Sequence, residues 1–349
     1  MNDASSKTIL IIQTAFIGDT ILASHFARAV KEQFPDSKIH FFLRKGNESV
    51  IQGLSSIEKV WVWDKQGGKT RNLLRLIGEL RKIKFDYVFN LHRHFNSGLV
   101  TSLMNSSFKA GFAQNPMSMF FTHKVDHKIP HIPVENEKVI WHEVQRNLQL
   151  LFLASPTLQI SNDAKKYRPE LPIQQKNRDK ISVYQSSPYF IIAPASVWYT
   201  KAWSESKYRE LTRELSILGK VFFIGAKDDK ELCDRIRKDI TNTENLCGQL
   251  NLLDSAALME KAVRVFVNDS APLHLASCVN AKTTAIFCST VPAFGYTPIA
   301  EDSVVIDTGD KLSCRPCGLH GHKACPLEHF KCSLEIEVRE VMSTIKKVR

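Results

Sequence analysis

The stretch KTILIIQTAFIGDTILASHFARAVKEQF, residues 7–34, decides the fold class. It begins with a short apolar run, Ile9 to Ile12, which is typical of a buried strand. A turn containing Gly18 follows, and apolar residues then recur at helical spacing, namely Ile21, Leu22, Phe26, Ala29 and Val30. The stretch therefore predicts a strand, a loop and a helix, in the order found in α/β proteins.

The same alternation continues along the first half of the chain. Strands are predicted at Lys38 to Leu43, Val60 to Val62 and Tyr87 to Leu91, with helices at Asn72 to Lys82 and Gly98 to Met104. Strands that alternate with helices predict a parallel sheet that is covered on both faces.

A second α/β unit follows a polar stretch. Residues 161–188 contain prolines and show no sustained periodicity, so this stretch is the candidate linker. The strand and helix pattern restarts with PYFIIAPAS at residues 188–196 and continues through RVFVNDSAPLHLASCV at residues 264–279. Because ligands of open α/β sheets bind at the carboxyl ends of the strands, we expect both units to turn these loops toward one central cleft.

Composition limits the class of protein. A chain of 349 residues with 43% hydrophobic and 24% charged residues suits two globular domains. The net charge of +11 attracts anions, but the basic residues are not interleaved with aromatic ones, so we expect no nucleic acid partner. Every apolar run is too short to cross a membrane, which predicts a cytoplasmic protein.

Two polar motifs follow predicted strands. Gly18-Asp19 lies in the first loop, where Asp19 is either a helix cap or a general base. Asp269 and Ser270 open a predicted helix, whose free backbone N–H groups suit a diphosphate. In the alternative interpretation, Asp269 is a cap and His274 a core residue.

The loop after the strand at Ile191 contributes a third motif. Lys201 can neutralise the charge of a leaving diphosphate, and aromatic residues such as Trp203 can line a cleft. A lone lysine is usually a solvated surface group, so its role depends on its neighbours.

Taken together, these segments resemble glycosyltransferase family 9, the lipopolysaccharide heptosyltransferases. The similar segments run along nearly the whole chain in the same order. They are ILIIQTAFIGDTILA, FNLHRHFNSGLVTSLMNSSFKAGF, HEVQRNLQLL, APASVWYTKAWSESKYREL, VFFIGAKDDKEL, NLCGQLNLLDSAALMEKA, FVNDSAPLHLASCVNAKTTAIF and CSTVPAFGYTP.

The resemblance implies a GT-B fold of two Rossmann-like domains. Residues 1–170 are expected to form the acceptor domain and residues 171–188 the linker. The nucleotide-sugar domain is expected at 189–330 and includes a Cys-rich segment, residues 314–332. A last helix within 331–349 is expected to cross back to the first domain.

It also implies an inverting transfer from ADP-L-glycero-D-manno-heptose to the inner core of lipopolysaccharide. Asp19 is the implied base and Lys201 the residue that stabilises the leaving diphosphate, so no metal or other cofactor is required. The implied donor-binding residues are Gly18, Thr200, Trp203, Asp269, Ser270, Ala271, His274 and Thr290. Two departures stand out: Gln13 lies where relatives often have a basic residue, and Pro272 removes one backbone donor.

The acceptor is expected to be a lipid-linked core oligosaccharide, met at the inner face of the cytoplasmic membrane. His92, Arg93, His94 and Asn96 follow the strand that begins at Tyr87, where a basic group would suit an anionic acceptor. The alternative is that they are polar residues of an exposed loop.

The Cys-rich segment has the ligand types of a zinc site. Cys314 and Cys317 have the spacing of a zinc knuckle, whereas Cys325 and Cys332 are too far apart for a standard ribbon; His320, His322 and His329 lie between them. We consider packed thiols first, a structural zinc second and disulfides third.

Three other functions stay open from the residues alone. The chain could use another nucleotide sugar, with the choice set around residues 290–298, or it could bind a nucleotide sugar without turnover. A dinucleotide-dependent oxidoreductase is disfavoured, because the first strand is not followed by G-x-G-x-x-G.

Overall fold

The computed structural model describes residues 6–129 and 141–345. The described residues form two compact units, one from residues 6–128 and 141–172 and the other from residues 173–345. Both units are α/β, which confirms the predicted fold class. Within the described residues, no helix is long and apolar enough to span a bilayer.

The first unit contains a six-stranded parallel sheet in the order β3-β2-β1-β4-β5-β6. Its strands are β1 (Thr8–Gln13), β2 (Lys38–Arg44), β3 (Lys59–Trp63), β4 (Tyr87–Asn90), β5 (Lys109–Phe112) and β6 (His123–Val125). Its helices are α1 (Ile17–Gln33), α2 (Lys69–Leu80), α3 (Phe95–Leu103) and α4 (Glu143–Phe152).

The apolar run at the start of the chain lies in the middle of this sheet. Ile9 to Ile12 have no exposed surface, because β1 pairs with β2 on one side and β4 on the other while helices cover both faces. A strand buried on every side needs a continuous apolar run, and this is the pattern that the sequence shows.

The second unit repeats the arrangement. Its strands are β7 (Tyr189–Ala193), β8 (Lys220–Phe223), β9 (Thr243–Asn245), β10 (Arg264–Asn268), β11 (Thr283–Phe287) and β12 (Ser303–Asp307), in the order β12-β11-β10-β7-β8-β9. Its helices are α5 (Gln175–Ile181), α6 (Glu205–Leu218), α7 (Lys230–Arg237), α8 (Leu252–Met259), α9 (Ala271–Cys278), α10 (Lys331–Leu334) and α11 (Val338–Ser343).

Both sheets have the strand order of a doubly wound fold. The order reverses between β1 and β4 in the first unit, and between β7 and β10 in the second. Loops that leave the two strands of such a pair turn in opposite directions, which opens a crevice at the carboxyl ends. Each unit therefore has one position at which its sheet topology favours ligand binding.

Two of the expected segments contain helices in the structure. The expected linker, 171–188, contains α5, where Asn177 donates a hydrogen bond of 2.8 Å to Asp254 of α8. The last helix is expected to cross back to the first domain. In the structure, Val338 and Val341 of α11 are buried in the core of the second unit, and residues 346–349 of the expected segment lie outside the described residues.

A buried ion group holds α4 in the first unit. Glu143 lies 2.9 Å from both the Arg146 Nε atom and the His127 Nε2 atom, and all three side chains are almost fully buried. Burial favours the neutral acid, but the charges and hydrogen bonds of Arg146 and His127 outweigh it and hold the pKa of Glu143 well below its usual range. The HEVQRNLQLL segment that resembles the family thus has a structural role.

Replacement of Glu143 by Gln should lower the free energy of unfolding by about 3–5 kcal/mol at neutral pH, because it leaves a buried cation without its partner. The folded-state pKa of Glu143 lies below its unfolded value of 4.5, so this contribution exists above that pH and is lost as the pH falls below it. Urea unfolding between pH 3 and 7 measures both effects.

The matched control is Glu79→Gln, which removes an exposed carboxylate paired with Arg75 in α2. It should change the free energy by less than about 0.5 kcal/mol. Equal effects of the two substitutions would contradict a special role for the buried group.

Candidate active site

An ion pair lies at the switch point of the second sheet. The Lys201 Nζ atom is 2.6 Å from the Asp269 Oδ2 atom, and the Thr290 hydroxyl donates a hydrogen bond of 2.7 Å to the same oxygen. Lys201 comes from the loop after β7, Asp269 directly follows β10, and Thr290 lies in the loop after β11. The structure therefore brings together three of the residues that the sequence singled out.

Asn268, the last residue of β10, anchors the loop that contains Lys201. Its amide Nδ2 donates to the Pro194 carbonyl over 2.7 Å, while its Oδ1 atom accepts from the Trp203 amide and the Tyr208 hydroxyl. Both ends of this loop, residues 194–203, are thus tied to one fully buried side chain. Sequence reasoning missed Asn268, although it directly precedes Asp269.

Helix α9 begins beside the ion pair. Ser270 is its N-cap residue, Ala271 its first residue and Pro272 its second, where the missing N–H costs no helical hydrogen bond. The positive end of the helix dipole therefore lies next to Asp269. His274 is buried on α9, at 5% exposure.

The expected role of Trp203 is wrong. Its side chain is 2% exposed and packs edge-on against Tyr208 with ring centroids 5.1 Å apart, inside the core of the second unit. Tyr199, in the same loop, is 57% exposed. Trp203 therefore stabilises the base of the Lys201 loop rather than lining a binding surface.

The Cys-rich segment (314–332) packs on the outer side of the Lys201 loop. The backbone of His322 exchanges hydrogen bonds with Thr200, whose hydroxyl accepts from the His322 amide over 2.7 Å. The Cys317 amide donates to the Ser289 carbonyl over 2.8 Å. Thr200 is consequently a buried structural contact between the two segments.

The four cysteines of this segment line one pocket of about 150 Å³, together with Thr200, Ser289, Arg315, Pro326, Leu327, His329 and Phe330. The eight cysteines of the chain all lie within the described residues and form no disulfide. Burial raises the pKa of Cys317, and the nearby Cys325 and Cys314 raise it further. His320 is exposed, whereas His329 lines the pocket.

Asp19 lies near the switch point of the first sheet. It is the third residue of α1, Gly18 is the second, and the N-cap position is occupied by Phe16. Asp19 therefore lies in the first turn of α1 and not at its N-cap position. Its side chain is half-buried, and the positive end of the helix dipole favours the carboxylate form.

His92 links the two loops at this switch point. Its Nδ1 atom lies 2.9 Å from the Thr14 hydroxyl, between the loops that follow β1 and β4. Burial, then the charges of His94, Lys65 and Arg93, lower the pKa of His92 to about 3. His92 is thus neutral at physiological pH and cannot supply the cationic acceptor contact that we expected of it.

The other three expected acceptor residues lie in or beside the first turn of α3. Arg93 and Asn96 are half-buried, and His94 is exposed. The Asn115 amide donates to the carbonyls of His92 and His94, at 2.9 and 3.0 Å, and so fixes this loop.

Basic residues at the ends of β2 and β3 were missed. Lys65 donates a hydrogen bond of 2.9 Å to the Thr14 carbonyl, and burial, then Arg44 and Lys69, lower its pKa to about 8. Arg44 lies over the ring of Phe16. Arg44 ends β2 and Lys65 follows β3, the two strands on one side of β1, and this position is the signal that could have identified them. They add positive charge to the carboxyl-end loops of the first sheet.

A family model matches a region of the chain that includes parts of both units. The family model described as glycosyltransferase family 9 (heptosyltransferase) matches residues 73–329. The chain belongs to this family. It is therefore a glycosyltransferase, and the matched region includes Lys201, Asp269 and Thr290 but not Asp19.

Similar proteins span almost the full length of the chain. A lipooligosaccharide heptosyltransferase 2 of Campylobacter jejuni is 23% identical, over 97% of this chain and 98% of that protein. The structure of Escherichia coli ADP-heptose lipopolysaccharide heptosyltransferase II has a TM-score of 0.76 at 17% identity, and 97% of each chain is covered. The E. coli heptosyltransferase WaaC with ADP-2-deoxy-2-fluoro heptose has a TM-score of 0.68 at 16% identity, covering 97% of this chain and 98% of that one.

Two glycines of the Cys-rich segment test how tightly it packs on the Lys201 loop. Both Gly321 (φ +73°) and Gly318 (φ +69°) have left-handed backbones. A Cβ atom at Gly321 would lie 2.8 Å from the Thr200 hydroxyl and 3.1 Å from the Lys201 Cγ atom, whereas one at Gly318 would meet nothing closer than 3.9 Å.

Gly321→Ala should therefore lower the free energy of unfolding by about 1–3 kcal/mol more than Gly318→Ala, since both share the backbone strain but the first adds overpacking. Urea unfolding of the two variants measures this difference. Equal losses would show that the segment does not press on the loop as described.

Proposed function

We propose that this chain transfers a heptose from ADP-heptose to the inner core of lipopolysaccharide, with inversion at the anomeric carbon. The observation that carries the proposal is the Lys201, Asp269 and Thr290 cluster beside the start of α9. A fixed cation next to a helix N-terminus suits a diphosphate. The names of the similar proteins support heptose as the transferred sugar.

In the donor site, the role of Asp269 and Thr290 is to position Lys201. Both hold the Lys201 side chain, which is 15% exposed, at the open end of the crevice. The ADP diphosphate then binds between the Lys201 ammonium and the backbone of Ser270 and Ala271. Negative charge develops on this diphosphate as the anomeric bond breaks, and these groups stabilise it.

In the acceptor site, Asp19 is the proposed general base. It takes the proton of the acceptor hydroxyl, whose oxygen forms a bond to the anomeric carbon as the bond to ADP breaks. The positive charges of Lys65 and Arg44 suit acidic groups of the core oligosaccharide. Because protein cations and the α9 dipole stabilise the leaving group, this route requires no metal or other cofactor.

The donor is tested by assaying the purified chain with ADP-heptose, ADP-glucose and UDP-sugars on truncated lipopolysaccharide acceptors. We expect transfer from ADP-heptose with a kcat/KM at least tenfold above that of the others. An equal or greater kcat/KM for another nucleotide sugar would instead support the alternative donor.

The two catalytic roles should separate in a pair of variants. Asp19→Asn should lower kcat by about 10²–10⁴-fold and leave the Kd for ADP within twofold, because the base acts on the acceptor alone. Lys201→Met should raise the Kd for ADP and lower kcat together. Calorimetric ADP titration and a transfer assay measure both quantities.

Lys261→Met, which removes an exposed lysine of the same unit, is the control for charge loss and should resemble the unsubstituted enzyme. Activity of Asp19→Asn within a few-fold of normal would refute the base assignment. An unchanged Kd for ADP in Lys201→Met would refute the diphosphate contact.

We also propose that the acceptor edge of the first unit meets an anionic membrane surface. Phe16, Phe95, Met119 and Phe120 are 51, 50, 75 and 55% exposed, in the segments that follow β1, β4 and β5. Exposed apolar side chains beside basic ones favour anionic lipid surfaces.

Co-sedimentation with anionic vesicles should therefore fall by several-fold in the Met119→Ser, Phe120→Ser double variant. Ile217→Ser, at an 84% exposed position of the second unit, is the control and should leave it unchanged. Sedimentation that is unaffected by the double variant would exclude this edge as the membrane contact.

A further inference from the structure

The Cys-rich segment (314–332) has almost no helix or strand of its own. Residues 314–330 contain only turns and bends. A loop of this length without secondary structure is uncommon in a compact domain and usually has a function or needs an added crosslink. Yet this segment holds Thr200 and covers Lys201, so its conformation matters to the site.

Its four thiols come together although they are spread over 19 residues. Cys314, Cys317, Cys325 and Cys332 all line the pocket of about 150 Å³, and Cys332 reaches it from the first turns of α10. The other four cysteines do not line it. A pocket wall with four thiols is chemically distinct from the apolar cavities that proteins usually leave empty.

The first pair has the backbone of a metal-ligand turn. Cys314 and Cys317 are separated by two residues, and Gly318 follows with a φ of +69°. That left-handed residue lets the chain turn back directly after the second thiol. Two thiols at this spacing are the usual first half of a structural site for a thiophilic metal.

His329 acts as a hydrogen-bond donor to this cluster. Its Nδ1 atom accepts a hydrogen bond of 3.0 Å from the Lys331 amide, so the neutral ring carries its proton on Nε2. That Nε2 atom lies 3.9 Å from the Cys314 sulfur. A ring nitrogen that carries a proton cannot be a metal ligand, so this nitrogen directs a donor toward the Cys314 sulfur and the four cysteines form the ligand set.

We propose that Cys314, Cys317, Cys325 and Cys332 bind one thiophilic metal ion, zinc or iron, in a tetrahedral tetrathiolate site that locks the Cys-rich segment over the Lys201 loop. Binding of the divalent ion releases four thiol protons and forms four metal–sulfur bonds, leaving a site of charge −2. Arg315 in the pocket wall and the His329 N–H offset that charge. Four sulfur ligands are the set that favours these metals over Mg²⁺ or Ca²⁺.

Within residues 6–129 and 141–345, no three ligand side chains already converge on one point. Metal binding must therefore draw the four thiols inward across the pocket that they line. This inference is independent of the proposed donor and acceptor, because the segment contacts the Lys201 loop whatever the loop binds.

The first test is the metal content of the full chain, purified without chelators from cells supplied with zinc and iron. We expect about one metal ion per chain by plasma mass spectrometry. The same measurement distinguishes iron from zinc by mass, so the two metals are told apart.

The second test is cobalt titration of the metal-stripped chain under reducing conditions. Tetrahedral cobalt thiolate has intense charge-transfer and d–d bands, which should saturate at one equivalent. Cys317→Ser and Cys325→Ser should lose most of this signal. Cys278→Ser, which removes a thiol outside the pocket, and His329→Gln should retain it.

A stoichiometry near zero for both metals, together with no cobalt bands in the unsubstituted chain, would overturn the proposal without reference to any variant. Full cobalt binding by Cys317→Ser and Cys325→Ser would also overturn it. Loss of binding in His329→Gln would overturn the ligand set, since the histidine would then be a ligand.

Discussion

The side-chain amide of Asn268 is the constraint on which the donor site depends. It joins the end of β10 to both ends of the loop that contains Lys201, through Pro194 and Trp203. A buried carboxamide that lost one of these partners would leave an unsatisfied polar group, which costs more than the bond itself contributes. The loop is therefore fixed in one conformation before any ligand binds, and Lys201 is held where it meets Asp269.

The first unit also has an asparagine at the end of the corresponding strand, but it fixes a different kind of loop. Asn90 ends β4, the strand that corresponds to β10, and its Oδ1 atom accepts a hydrogen bond of 2.9 Å from the His92 amide. There the asparagine fixes a loop whose histidine is neutral and contacts Thr14. Two sheets with one strand order thus present different chemistry: the second carries an ion pair beside a helix start, and the first a half-buried carboxylate, Asp19, in the first turn of a helix.

Long, regular helices and strands could be predicted from the sequence, whereas the burial and charge of single side chains could not. The strand and helix at residues 7–34 follow from apolar spacing, and the Lys201, Asp269 and Thr290 cluster follows from loops at the ends of neighbouring strands. Trp203 was placed wrongly because an aromatic residue in a polar loop can fold back into the core, and spacing does not show which occurs. The charge of His92 was wrong because burial, not residue type, sets its pKa. Helix α5 was missed because a helix this short has little periodicity, and contacts such as that between Asn177 and Asp254 stabilise it.

The Lys201 loop is contacted on two sides by segments that differ in local stability. From within, Asn268 and Asp269 belong to a buried strand and its end, so their positions follow from the core itself. From outside, Thr200 is held by the backbone of His322, which belongs to a segment without helix or strand. Because local stability is lowest where regular structure and buried apolar contacts are few, the outer support should open more readily than the inner one. The thiols of that segment are therefore placed where a crosslink has most effect: a metal there would stabilise the weaker of the two supports without altering the ion pair that it covers.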